Sequence, residues 1–142
     1  MWMFYIDFNG RWPQKDRFQE FAYDCIYHFF RNDLKRDIFI DIHMKRDLNN
    51  YLGLCDGTRN QVEIEIARNY DNNNESINAL ALTLAHELVH AKQFIRGEIN
   101  DSNYIYKKGS VTLDCEGVRY SQQPWEVEAY ELQQELFDLY WL

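Results

Sequence analysis

With 142 residues, 46% of them apolar and 16% aromatic, the chain can bury a core and is too rich in large hydrophobes to stay disordered. Its formal net charge of −8 leaves no excess of Lys and Arg to neutralise phosphates, which argues against a nucleic-acid binder. The three cysteines (Cys25, Cys55, Cys115) form no C-x-x-C pair, so neither a disulfide framework nor a thiolate zinc site is expected, and a reducing cytoplasmic setting is.

The opening MWMFYIDFNG is apolar for six residues and lacks a basic flank, so it reads as a strand rather than a leader or a membrane span. After the turn-like NGRWP, residues Phe18, Phe21, Ala22, Cys25, Ile26 and Phe29 recur at helical steps, with Asp16 or a neighbour as cap. DIFIDIHM then places Ile38, Ile40 and Ile42 on one face of a strand. LGLCDGTRN reads as a polar turn region. In QVEIEIARN, Val62, Ile64 and Ile66 alternate with glutamates, as in a half-exposed strand at a sheet edge.

A second helix is expected from DNNNE, with Asn72 and Glu75 in capping-box spacing, to a stop at Gly97. Residues 98–123 look irregular, with short strands around VTLD and GVRY. A last helix starts near Pro124, a residue suited to a first turn. The order β, α, β, β, α, loop, α implies an α+β fold, a short mixed sheet packed on helices, in a single domain over residues 1–142.

Chemistry concentrates in LAHELVHAKQ. His86 and His90 stand four residues apart on the second helix, hence on one face, where both imidazoles can reach one zinc ion at about 2.0–2.1 Å. Glu87 follows the first histidine, placed to take a proton from a water that the ion acidifies. The preceding INALALTLA holds no ionisable residue, and burying this His–Glu group without an ion or partners would be costly.

A catalytic zinc site needs a third protein ligand. Residues 93 and 96 are Gln and Arg, so no third histidine continues the helix motif, and His28 and His43 lie upstream. The other candidates are Glu126 and Glu128. At about 100° per residue they point about 200° apart, so only one can face the ion. Glu126 shares its side with Ala129, Tyr130, Gln133 and Phe137, while Glu128 falls with Glu131 and Glu135 in what reads as a solvated acidic stripe. The phase favours Glu126.

HELVH at 86–90 followed by EVEA at 126–129 resembles the gluzincin metallopeptidases, over roughly residues 60–135. HELVHAKQ, GVRY and PWEVEAYE together look similar to short metallopeptidase-like proteins of phage and bacterial genomes. The resemblance implies a zincin-like domain with H-E-x-x-H on its central helix and one zinc ion. His86, His90 and Glu126 would be the ligands, Glu87 the general base, and a peptide or protein the substrate. That family often carries Asp or Asn where this chain has Tyr130, so either the Tyr130 hydroxyl or another group orients a histidine, or the metal site is tuned differently. It also implies that QVEIEIARN borders the cleft as an edge strand. Separately, the Tyr-rich loop NDSNYIYKKG offers an oxyanion donor such as Tyr104 or Tyr106. Outside the enzymes, the alternative is a catalytically silent metal-binding interaction module.

Overall fold

The computed structural model describes residues 3–31, 35–100 and 104–142. Residues 1–2 of the expected first strand and 101–103 of the expected loop lie outside them. The strands are β1 (Phe4–Asn9), β2 (Ile38–Lys45), β3 (Gly53–Gly57), β4 (Gln61–Ala67), β5 (Ile105–Lys108) and β6 (Val111–Asp114). The helices are α1 (Lys15–Phe29), α2 (Asn74–Ile95) and α3 (Pro124–Leu136), the last running into a π-helical end at Phe137–Trp141. This is a small α+β domain.

Four strands form one mixed sheet in the order β1-β2-β4-β3. β1, β2 and β4 run parallel, with Ile6 opposite Ile40 and Ile40 opposite Val62. Their alternation decides which face is covered: Phe4, Ile6, Phe8, Ile38, Ile40, Ile42, Val62, Ile64 and Ile66 are buried against the helices, while Tyr5, Phe39 and Glu63 are exposed on the reverse face. Phe18, Phe21, Ala22, Cys25 and Ile26 of α1 join that core at the expected helical spacing.

The sheet edge differs from the expectation. β4 pairs with β2 on one side and antiparallel with β3 on the other, so it lies inside the sheet, and β3, from the segment read as a turn, is the edge. GLCDG has two glycines and no fully buried face. It becomes a strand by pairing with β4, which local propensity cannot reveal. GVRY is likewise not a strand but leads into a 3-10 turn at Tyr120–Gln122.

Helix caps also moved. α1 starts at Gln14, in the left-handed region (φ 47°) without a side-chain cap, rather than at Asp16. α2 is capped one residue later than expected: Asn73 Oδ1 accepts from Ser76 N at 2.9 Å, and Ser76 Oγ accepts from Asp71 N at 2.6 Å. At its other end Gly97 (φ 73°) closes a Schellman turn, with Gly97 N donating to Phe94 O and Glu98 N to Gln93 O. That reversal folds Glu98 back over the last turn of α2. α2 packs against α1, α3, β3 and β4 and is the central helix.

Candidate metal centre

α2 presents its two histidines on the face that meets α3. His86 Nε2 and His90 Nε2 are 3.2 Å apart, and Glu126, in the first turn of α3, reaches both: Oε1 is 3.1 Å from His86 Nε2 and Oε2 is 3.0 Å from His90 Nε2. All three side chains are buried. Pro124 starts α3 and thereby sets the phase that turns Glu126 inward.

The other ring nitrogens explain why these atoms converge. His86 Nδ1 donates to Gln133 Oε1 at 2.8 Å, and His90 Nδ1 to Gln93 Oε1 at 2.7 Å. Carbonyl oxygens only accept, so each imidazole carries its proton on Nδ1 and turns Nε2 inward. Where Nε2 also carries a proton it donates to Glu126; where it does not, its lone pair faces the carboxylate. Such a donor set needs a cation between its members, either a proton or a metal ion. These residues could hold a metal ion.

The titration behaviour carries the same imprint. Burial alone would raise the Glu126 carboxyl, but hydrogen bonds from His86, His90 and Tyr120 overcome it and hold the pKa at about 2. Burial would lower His90, but its hydrogen bond and charge contact with Glu126 carry it above its ordinary 6.5. Glu87 is raised by burial, which the two histidines only partly offset. A carboxyl with an elevated pKa is better matched to accepting and returning a proton near neutral pH.

Glu87 lies on the side of α2 that faces β3. A Cβ added to Gly53 would come within 2.9 Å of Glu87 Cγ and Oε2, so only glycine allows the edge strand so close. Two open clefts flank the triad. One, of about 390 Å³, is lined by His90, Glu126, Cys55, Phe94, Tyr104 and Trp125. The other, of about 290 Å³, is lined by His86, Glu87, Leu52, Gly53, Tyr120 and Tyr130.

His86, His90, Glu126 and Glu87 therefore come together as expected, while the expectation for Glu128 fails. Glu128 is not in a solvated stripe: it is buried and ion-paired with Lys92 and Lys108, although Glu131 and Glu135 are exposed. Tyr106 is packed near Trp125 and Tyr104 lines the wider cleft. The phenol bonded to the triad is Tyr120, whose hydroxyl donates to Glu126; burial and that carboxylate raise its pKa. Tyr130 sets its ring against His86, but the orienting groups are Gln133 and Gln93. Gln133 falls one turn beyond Ala129 on the Glu126 side of α3, and that phase was its only sequence signal. His28 bonds Tyr140, and His43 groups with Asp41 and Glu63 on the outer sheet face, so neither joins the triad.

The fold and the site together define a small α+β domain with a buried His–His–Glu group able to hold a metal ion. No protein-family model and no curated protein sequence matches the chain.

Proposed function

We propose that this protein is a gluzincin-type zinc metallopeptidase. The observation that supports the reading most is the convergence of His86 Nε2, His90 Nε2 and both Glu126 oxygens, with each imidazole's other nitrogen already committed to a glutamine carbonyl. His86, His90 and Glu126 would hold one zinc ion. When bound, the ion supplies a Lewis acid that polarises a peptide carbonyl and acidifies water.

The chain's own groups do the rest. Glu87, pressed against Gly53 in the narrower cleft, accepts a proton at its carboxylate and returns it to the leaving amine. Tyr120, beside Glu126, has one O–H; with that carboxylate engaged by the ion, the O–H would be released to donate to oxygen charge developing on the carbonyl. The peptide would lie along the cleft beneath β3, the edge strand on the side of the sheet next to the cleft. The three unpaired cysteines favour a cytoplasmic setting. No helix among the described residues is long and apolar enough to cross a membrane.

The test is metal analysis of protein purified without chelator, followed by hydrolysis assays on a broad peptide library. Glu87→Gln is expected to keep the metal and lose turnover by about 100-fold or more. Wild-type turnover in that variant would remove Glu87 from its role. Stoichiometric zinc with no hydrolysis by any preparation would leave a metal-binding interaction module instead.

A further inference from the structure

Next to the triad lies a second buried cluster that the proposed reaction does not use. Lys92 Nζ contacts Glu98 Oε1 at 2.8 Å and Glu128 Oε1 at 2.9 Å, and Lys108 of β5 reaches the other Glu128 oxygen. Gln93, fully buried, sits between this cluster and the metal centre. Its Nε2 donates to Glu128 Oε1 at 3.1 Å and to Trp125 O at 2.9 Å, while its Oε1 accepts from His90 Nδ1.

The amide can therefore sit only one way round. Two pure acceptors, a carboxylate and a backbone carbonyl, face one end of it, so that end must be the NH₂. Rotation by half a turn would set the Gln93 carbonyl against both of them and would present an NH₂ to His90. His90 would then shift its proton to Nε2, the nitrogen that faces Glu126 and His86, and a protonated nitrogen cannot bind a metal.

We propose that Glu128 and Gln93 are positioning residues for the metal: Glu128 locks the Gln93 amide, and the locked amide makes His90 offer Nε2 to the ion. The inference rests on the metal centre of the proposed function and adds a control that reaches from the β5–β6 hairpin, through Lys108 and Glu128, to a ligand. Glu128 lies two residues beyond Glu126, so α3 delivers the ligand and the lock from a single turn of one helix.

The test uses the full chain, stripped of metal and titrated with zinc chloride against a colorimetric chelator, with cobalt absorption spectra as a second readout. Gln93→Met and Glu128→Met are each expected to weaken zinc binding about 10–100-fold and to alter the cobalt spectrum, although neither residue touches the ion. Glu128→Gln keeps an acceptor for Gln93 and lets the more exposed Lys108 swing into water. It is expected to hold zinc within about threefold of the wild type and to keep its cobalt spectrum, while lowering the melting temperature of the metal-free protein.

A purely structural ion cluster predicts another pattern, in which both Glu128 variants lose stability and neither changes zinc affinity. That result would overturn the proposal, as would a Glu128→Gln loss equal to that of Glu128→Met. Should Glu128→Met fail to fold, Gln93→Met decides: zinc binding within about threefold of wild type, with an unchanged cobalt spectrum, overturns it. A wild-type chain that takes up no zinc removes the proposed function and this inference together. A wild type that binds while the variants match it removes this inference alone.

Discussion

Replacing Glu126 by Gln tests the metal centre without altering its shape. Zinc at a hundred times its dissociation constant stabilises a folded protein by about 2.7 kcal/mol. In a chain of this size about 1 kcal/mol moves Tm by about 3 °C, so the wild type is expected to gain about 8 °C. In Glu126→Gln a neutral amide replaces a carboxylate that lies 3.0 and 3.1 Å from the two Nε2 atoms and is 5% exposed. Its NH₂ must point at one of them, blocking the position where the ion would sit.

Losing that ligand should cost at least the upper end of what orienting groups contribute, about 100-fold in affinity. At the same zinc concentration the remaining stabilisation is about 0.4 kcal/mol, or about 1 °C. The metal-free variant should itself lose about 1–3 kcal/mol from the buried network. That falls below the 3–5 kcal/mol typical of a broken buried ion pair, because the histidines can shed a proton instead of remaining charged. Differential scanning of both proteins, with and without zinc, reads all of these values. An equal zinc-induced rise in the two proteins would refute Glu126 as a ligand.

Gly53→Ala would push a methyl to within 2.9 Å of Glu87 Cγ and Oε2; displacement of the proposed base should lower kcat by about 10–100-fold, while the zinc-induced Tm shift stays at its wild-type value. Full activity in that variant would show that Glu87 does not need its contact with β3. For the metal-free protein, Glu126 is depressed from 4.5 to about 2, so its contribution is present above 4.5 and fades as pH falls toward 2. His90 is raised above 6.5, so its contribution is complete below 6.5 and fades as pH rises through its folded value; Glu87, raised above 4.5, tilts the same way. Urea unfolding in chelator should therefore show greater stability at pH 5.5 than at pH 8, and saturating zinc should reverse that order because the ion needs deprotonated ligands. Asn73→Ala removes the acceptor for Ser76 N and should lower Tm by about 3 °C, with zinc binding unaffected.

The helices and the three parallel strands were legible because their apolar residues repeat at the period of the element that buries them. Phe18 to Phe29 and Ile38 to Ile42 each announce one covered face. Glu126 was legible for the same reason, since the phase of α3 puts it with Ala129. Glu128 was misread because a phase angle separates it from Glu126 but says nothing about what arrives from elsewhere. Lys92, on α2, and Lys108, on a hairpin, turn its side of the helix into a buried ionic cluster. β3 was misread for a related reason: a segment with two glycines and no apolar stripe becomes a strand only when β4 offers its free edge.

By itself, then, the sequence determined the α+β class, the places of β1, α1, β2, β4, α2 and α3 along the chain, the one-turn spacing of His86 and His90, and the inward phase of Glu126. Each is a periodicity of the local backbone. Only the tertiary structure decided that Gln93 and Gln133 orient the imidazoles, that Gly53 touches Glu87, and that Tyr120 is the phenol bonded to the triad. Those contacts join side chains from different elements. Their geometry is set by how the core packs α2 against α3 and β3, a relation no local pattern along the chain encodes.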